Sequence, residues 1–541
     1  MRILLLIGAI IWVPLAASAL PHLCGTRWLA EQEEAPPLPV AGKAVAATQS
    51  AEIVVGSALA AAVSGDAFLR PMTCRYVGEN AYIFVEDRVW DVVVVQPSID
   101  RLGVLFDDAT PADAERGIYD LATEAFGAAP DVDGDRRIFI FVVDMPDDRI
   151  VGFFDPRIAT HIDPQLRRDA LFLDAFHLNS NPTLARGTLA HEFQHLIHWG
   201  YDADEEAWID EGLSGYAEEL VGFAETDPNM VPEFLDAPDL NLTTWPSLIG
   251  AAIPHYGATY LFASFLRERY GPELIRAVVA EGRNGTFGID EAFKDIGAVE
   301  NFVGAWRLWI AGNYASDDTY YGYSALGGRR VRSFSIGEVP FGPAEGGVGQ
   351  QWGTINFSLQ TPGNVEFEFR GAQEGRYAVW GYGMRGSTGE MVAVELDDNN
   401  AGSAQWAGVD SVGIVVGRTA LAGSAFSLAV RPYEPEPIPT AVRTAVPDGV
   451  RFALGAAYPN PFNGQVLLPV EVARDAMVEL SIYNSLGQRV RQLLNGRMRA
   501  GSHRPYWDGR DNLGRSVGSG QYYAVAHIGG AAFVRGLTLI K

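Results

Sequence analysis

Beyond Gly327 the spacing of apolar residues changes period, and no other feature of this 541-residue chain constrains its fold as much. From Thr183 to about Tyr321 apolar side chains recur at helical intervals, as in HYGATYLFASFLRERYG, closed by Gly271 and Pro272, then EAFKDIG and NFVGAWRLWIAGNY. After Gly327, segments such as TINFSL, NVEFEFRG, RYAVWGYG and AFSLAVRP alternate between Gly-rich turns, which is the pattern of a β-sandwich. Upstream, AYIFVEDRVWDVVVVQ and RRIFIFVVDM are β-branched and aromatic runs that read as strands, with the helix-spaced PADAERGIYDLATEAFG between them. A mixed α/β lobe beginning near Gly78, a helical lobe and then strand-only segments cannot share one pattern of burial, so several domains are expected. RPYEPEPIPTAV reads as a stiff extended spacer before a last small β domain.

Between the two strand runs sit Asp131, Asp133, Gly134 and Asp135. They have the composition of a calcium loop but lack the glutamate in register that would complete one, so a tight turn before a strand from Ile138 is expected.

The chain starts MRILLLIGAIIWVPLAASA, with Arg2 ahead of an apolar run from Ile3 to Leu15 and small residues Ala17, Ser18 and Ala19 at its end. That is the pattern of a signal peptide, and no later run is long and apolar enough for a membrane span in the mature chain. Leu20 to about Thr73 is rich in Ala, Glu and Pro and reads as a pro-segment or mobile arm. Only Cys24 and Cys74 are present, and two thiols in an exported chain are expected to pair. A second reading of Cys24, in PHLCGT, is that it resembles the inhibitory cysteine of some metallopeptidase propeptides, whose thiolate caps a zinc. The 67 acidic against 41 basic side chains give a formal charge of −26, and no Lys/Arg run offers a phosphate-binding patch, so nucleic acid is excluded as a partner.

Chemistry is concentrated in NPTLARGTLAHEFQHLIHWGYDADEEAWIDEGLSGYAEEL. On a helix starting near Pro182, His191 and His195 are four residues apart on one face, with Cβ atoms about 5–6 Å apart, so both imidazoles reach one ion. Leu189, Phe193, Leu196 and Ile197 fall toward the other side and anchor the helix. Glu192 flanks the metal without pointing along the ligand direction, where its carboxylate accepts a proton from a zinc-bound water, the nucleophile. In the second helix, WIDEGLSGYAEEL, an apolar stripe of Leu213, Tyr216, Ala217 and Leu220 leaves Glu211 pointing elsewhere. Fifteen residues separate His195 from Glu211, enough for a turn and an antiparallel return, and a third, acidic ligand leaves one coordination position open. Glu218 and Glu219 are rival third ligands, and Glu218 lies two turns from Glu211 on roughly the same face. His198 shares a face with His195, but helical rise carries it past the ion.

DEGLS resembles the Asn-Glu-Gly-x-Ala/Ser segment that supplies the glutamate ligand in gluzincin peptidases. HEFQHLIHW, WIDEGLSGYAEEL, HYGATYLFASFLRERYG and WRLWIAGNY, in that order, resemble secreted neutral metallopeptidases of the hyicolysin type over about Tyr82 to Tyr323. The resemblance implies endopeptidase activity with a zinc-activated water. Thermolysin-like enzymes carry an aspartate just after the ligand glutamate to orient a histidine, and this chain has Ser214 and Gly215 in that neighbourhood. In HYGATY, His255 and Tyr256 are expected to precede a helix where gluzincins recruit an oxyanion donor, with Tyr256 preferred and His255 second, against a structural aromatic or core histidine. AYPNPFN, VELSIYNSLGQRVRQLL, AGSHRPYWDGRDNLGRSVGSGQYYAV and VRGLTLIK, from Phe452 to Lys541, resemble the Ig-like sorting domain recognised in bacterial type IX secretion.

The expected fold is therefore multidomain: an α/β zincin-like peptidase domain with a strand-rich and a helical lobe, followed by two β-sandwich-like domains. The expected division is a signal peptide over 1–19, a pro-segment or arm over 20–78, a zinc metallopeptidase domain over 79–323, an accessory sandwich over 324–434, a linker over 435–447 and a sorting domain over 448–541. The expected function is that of a secreted or surface zinc endopeptidase, with Zn2+ on His191, His195 and Glu211, base Glu192, a protein or peptide substrate, and the secretion machinery as partner of the C-terminal domain. A binding or adhesive protein on an inactive peptidase fold, and a zinc hydrolase of non-peptide substrates, are the rivals.

Overall fold

The computed structural model describes residues 23–30, 52–434 and 452–539, apart from short stretches within them. The expected signal peptide and Pro-rich linker lie outside the described residues. The chain divides into two compact units, Met1–Pro435 and Glu436–Lys541.

The first unit opens with a seven-stranded sheet made of β1 (Leu23–Cys24), β2 (Ala58–Ala61), β3 (Arg70–Val77), β4 (Ala81–Glu86), β5 (Ile138–Val143), β6 (Ile150–Phe154) and β7 (Ala170–Asp174), in the order β1-β6-β7-β5-β4-β3-β2. Strands β4, β5 and β7 run parallel, β6 lies antiparallel to β7, and β1 lies parallel to β6. Every residue of β4 to β7 is buried because both faces are covered, which is why these runs are continuously apolar. One face packs Ile83, Val85, Ile140 and Leu171 with Phe106 and Phe193, and the other packs Tyr82, Phe84, Phe141 and Phe172 with Leu29 and Met72. β2 and β3 fall within the stretch expected to be a pro-segment or arm, yet they complete this sheet, with β3 antiparallel to β4.

The expected disulfide is not formed: Cys24 and Cys74 are both buried free thiols. Cys24 ends β1 and Cys74 lies in β3, five strand positions apart in the sheet order. At about 4.8 Å per strand that is roughly 24 Å, whereas a disulfide needs Cα atoms within about 7 Å. Even count and compartment favoured pairing, but sheet order forbids it.

The expected turn before β5 is built from Asp131 Oδ1 accepting from Gly134 N at 2.8 Å and Asp133 Oδ1 accepting from Asp135 N at 3.0 Å. Asp169, at the start of the β7 side, joins Asp131 and Asp133 so that their carboxylate oxygens lie within 4.8 Å of one another.

The helices are α1 (Gly25–Ala30), α2 (Gln96–Asp107), α3 (Ile118–Phe126), α4 (Pro156–Ala159), α5 (Ala175–Ser180), α6 (Pro182–Tyr201), α7 (Ala207–Leu220), α8 (Met230–Asp236), α9 (Ile249–Tyr270), α10 (Pro272–Ala280), α11 (Gly285–Asp295) and α12 (Phe302–Tyr314). α6 begins where Asn181 caps it, its side chain accepting from Leu184 N, with Pro182 at the first helical position. It is buried from Thr188 to His198 because it is packed between the sheet and α7.

A second sheet follows, from β8 (Phe334–Ser335), β9 (Phe341–Gly347), β10 (Thr354–Gly371), β11 (Tyr377–Arg385), β12 (Thr388–Val394), β13 (Ala401–Arg418) and β14 (Ala425–Pro432), in the order β12-β11-β13-β10-β14-β9 with β8 beside β10. Register shifts between Gln360 and Val365 bend the long β10–β13 pair, and Phe367, Phe369, Ile414 and Phe426 share one core. Trp380, Tyr382 and Val415 join the core of the helices instead. A Cβ at Gly413 would stand 2.3 Å from the ring of Tyr314, and one at Gly417 would stand 2.4 Å from the ring of Trp306, so both positions must be glycine for α12 to lie on β13. Residues 324–434, expected as a separate accessory domain, are thus packed on the helical lobe.

The second unit has a four-stranded antiparallel sheet, in spatial order Arg489–Met498, Ala476–Asn484, Gly520–Ile528 and Ala531–Leu539, with smaller sheets around Trp507, Phe462 and Leu480 in a sandwich-like arrangement. No helix among the described residues is long and apolar enough to cross a membrane.

Candidate metal centre

α6 and α7 pack against each other, α6 supplying two donors and α7 one to a buried cluster. The rings of His191 and His195 stand edge to face with centroids 4.9 Å apart, as an i, i+4 pair on one helix face requires. Glu211, from α7, reaches both: its Oε2 lies 3.2 Å from His191 Nε2 and its Oε1 lies 3.8 Å from His195 Nε2. A fourth donor arrives from far along the chain, with Cys24 Sγ 3.4 Å from His195 Nε2. Donor atoms of Cys24, His191, His195 and Glu211 all lie within 4.8 Å of one another, and all four residues are buried.

The remaining nitrogens of both rings are also held. His191 Nδ1 lies 2.9 Å from Glu218 Oε1, and His195 Nδ1 lies 3.0 Å from Asp210 Oδ2 and 3.1 Å from Ser214 Oγ. Asp210 Oδ1 lies 3.0 Å from His198 Nδ1, so one carboxylate bridges two histidines. Burial alone would depress the imidazoles of His191 and His195. Cys24, Glu211 and Glu218 around the first, and Asp210, Cys24 and Glu211 around the second, outweigh it and hold both well above the usual histidine range.

Four observations fit a tetrahedral divalent cation. The donors are two imidazoles, a carboxylate and a thiol, the set zinc takes. His191 Nε2 and both Glu211 carboxylate oxygens are buried without a hydrogen-bond partner. The Nε2 atoms point toward Glu211 while the Nδ1 atoms are tethered elsewhere, the usual arrangement of ligating histidines. Ligands about 2.0–2.3 Å from a tetrahedral centre lie about 3.3–3.7 Å from one another, against 3.2, 3.4 and 3.8 Å between these donors.

Glu192 lines the same cavity as His191 and Cys24 and is tied to β6 and α1. Its Oε2 accepts from Phe154 N at 3.0 Å and lies 2.7 Å from Thr26 Oγ1, while its Oε1 is buried without a partner. Burial raises its carboxyl above the usual range, against the pull of His195 and His191.

Residues 457–528 match the FlgD Ig-like domain family. Over 244 residues the chain is 22% identical to the neutral metalloprotease ShpI of Staphylococcus hyicus, a match covering 40% of this chain and 52% of that protein. The chain therefore spans about half the length of that relative. Among solved structures, the pre-peptidase C-terminal domain of a Bacillus anthracis collagenase overlaps 19% of this chain and 98% of its own, at 11% identity and a TM-score of 0.17. Dimeric latent PorU from Porphyromonas gingivalis overlaps 38% of this chain and 32% of its own, at 9% identity and a TM-score of 0.15. Overlaps of that size fix neither fold nor activity.

Other expected site residues fall as follows. Tyr256 and His255 do not precede a helix; they lie within α9, which starts at Ile249 and carries Pro254 inside it. Proline marks a helix start in sequence, but the helix here begins five residues earlier over Gly250, Ala251 and Ala252. Tyr256 lines the same cavity as His191, Glu192 and Cys24, whereas His255 is absent from that lining and stacks edge-on with Trp245. Burial lowers the His255 imidazole to about 4. Glu218 stands behind His191 instead of beside Glu211, and Glu219 accepts a hydrogen bond from Ser264.

Sequence reasoning missed Asp210 as the carboxylate behind His195. The resemblance to thermolysin-like enzymes places an orienting aspartate after the ligand glutamate, whereas Asp210 precedes Glu211. The signal was present in Asp-Glu together, because adjacent helical residues diverge by about 100° and so can touch different atoms of one histidine pair.

Proposed function

We propose that this chain is an exported zinc-dependent endopeptidase with a zincin-like catalytic domain. The observation that carries the reading is the convergence of His191 Nε2, His195 Nε2 and the unpartnered Glu211 carboxylate on one point, with Glu192 alongside. His191, His195 and Glu211 would hold the ion. Bound there, zinc would supply Lewis acidity, lowering the pKa of a water and polarising a scissile carbonyl. Glu192 would be the general base toward the attacking water and the general acid toward the departing amine. Phe154 N fixes the glutamate by donating to its Oε2, leaving Oε1 free for the proton. Glu218 and Asp210 orient the two rings and fix their tautomers. Tyr256, on the cavity wall, donates to the oxyanion of the tetrahedral intermediate.

The similarity to a neutral metalloprotease favours peptide bonds over other acyl substrates, and so argues against a non-peptide hydrolase. The intact donor set argues against an inactive adhesive protein. Residues 1–19 act as a signal peptide and the Ig-like unit as a sorting domain for export. Incubating metal-loaded protein, freed of its first 51 residues, with a diverse peptide library tests the reading: cleavage that is lost on chelation and restored by zinc is expected. Absence of cleavage with stoichiometric zinc bound overturns it.

A further inference from the structure

A catalytic zinc keeps a coordination position open, whereas a closed set of four protein ligands is the mark of a site that does no chemistry. The cluster here is closed, and the ligand that closes it comes from a segment remote in sequence: Cys24 and His195 are 171 residues apart. We propose that Cys24 is the fourth metal ligand of a latent form, held in place by residues 23–30 lying along the substrate cleft. The proposal rests on the zinc reading above.

Three features make this segment a plug and not a passing contact. First, β1 pairs in parallel with β6, Leu23 opposite Ile150 and Cys24 opposite Gly152, and without β1 the strand β6 would be the sheet edge nearest α6. A bare edge strand beside the catalytic helix is what an extended peptide adds to by backbone hydrogen bonds. β1 fills that place. Second, the residue after the thiol must be glycine. A Cβ on Gly25 would stand 2.7 Å from Gly152 O and 2.8 Å from Phe153 Cβ, so the chain can press Cys24 to the ligands only because Gly25 carries no side chain. Third, Thr26 ties the segment to the base: its Oγ1 donates to Glu192 Oε2 at 2.7 Å and accepts from Phe154 N at 2.8 Å. One short stretch thus covers the open metal position and the peptide-binding edge, and hydrogen-bonds the carboxylate of the base.

On coordination the thiol loses its proton to solvent and binds as thiolate; on release it is reprotonated, and the position it vacates is free for water. Nothing is oxidised. Cutting the chain between Ala30 and Ile53 would release the segment and leave β2 and β3 in the sheet. The two thiols are set up for opposite behaviour. Cys74 is buried in the far core with its thiol pushed up to about 11 by burial, whereas Cys24 faces the donors.

The experiment uses the full chain loaded with Co2+, whose thiolate complexes absorb by charge transfer in the near ultraviolet. One cobalt per chain with a charge-transfer band is expected for the wild type, and one cobalt without the band for Cys24→Ala. Iodoacetamide should spare Cys24 in the metal-loaded chain and label it after chelation, with Cys74 spared throughout. The Zn2+ form of Cys24→Ala should cleave peptides at least ten-fold faster than the wild type. Gly25→Val keeps the thiol but displaces the segment, and should also lose the band and gain activity. Stoichiometric cobalt with no thiolate band in the wild type overturns the proposal and leaves the zinc reading intact. So does a band with no gain of activity in either variant, since Cys24 would then be a permanent structural ligand. A chain that takes up no cobalt overturns the zinc reading and the latency together.

Discussion

Asp210 Oδ2 lies 3.0 Å from Nδ1 of His195, on the opposite side of the ring from the Nε2 that faces Glu211. The same carboxylate reaches His198 through its other oxygen, and despite burial the two imidazoles hold it well below the usual carboxylate range. That favours its ionised form. It fixes which nitrogen of His195 is offered to a metal.

Asp210→Asn keeps the shape but removes that charge. Zinc affinity should fall by about 10–100-fold, the usual cost of losing such a partner. Competition with a chromophoric chelator reads this directly. Unchanged affinity would show that Ser214, 3.1 Å from the same nitrogen, is sufficient alone.

Glu192→Gln and Glu211→Ala should separate the base from the ligand. Without its carboxylate, position 192 can take no proton, so turnover should fall by about 10²–10⁴-fold with zinc retained. Glu211→Ala removes the carboxylate between both imidazoles and should lose zinc and activity together. Elemental analysis beside peptide cleavage distinguishes them. Glu218→Gln should keep its zinc with weakened affinity, because Glu218 touches the rear nitrogen of His191; complete loss in that variant alone would move the third ligand to Glu218.

What the sequence made legible here is what depends on local spacing. A helix from Pro182 and a second one returning with Glu211 follow from periodicity and caps, and the structure has α6 starting at Pro182 and Glu211 between the two imidazoles. What it hid depends on tertiary neighbours. Cys24 reads as half of a disulfide until sheet order separates it from Cys74. Strand β10 reads as part of an independent sandwich until Trp306 and Tyr314 are found seated on the glycines of its partner β13. Glycine in a strand looks like a turn or weakness in sequence, and only the approaching helix reveals why no side chain is there.

Asp169 should make stability fall as pH rises. Burial pushes its carboxyl up to about 7, partly offset by Val132 N donating to Oδ2. With the folded value above an unfolded one of about 3.9, the native chain binds the extra proton between about pH 4 and 7. That stabilisation is complete below about pH 4 and lost as pH climbs through about 7. Asp169→Asn has no proton to lose and keeps an acceptor for Val132. Its melting temperature relative to the wild type should be higher at pH 8 than at pH 5, and an equal difference at the two pH values would refute the assignment.

Two truncations should have opposite outcomes. A chain ending at Pro435 removes only the second compact unit, so its metal content and peptide cleavage, measured after release of the N-terminal segment, should match the full chain. A chain ending at Tyr323 removes β8 to β14, and with them Trp380, Tyr382 and Val415 from the core shared with α12. Trp306 and Tyr314 would lose the glycine face they lie on, together with the hydrogen bonds from Trp306 Nε1 to Trp352 O and from Tyr314 Oη to Phe357 O. Exposing two large aromatics that have lost three packing partners costs several kcal/mol at about 25 cal/mol per Å² of apolar surface, a large share of the roughly 5–15 kcal/mol that keeps a domain folded. The shorter chain should therefore aggregate or melt well below the longer one in a thermal scan. If it instead keeps the same melting temperature and binds zinc, residues 324–434 are a separable module and the shared core contributes little to the fold.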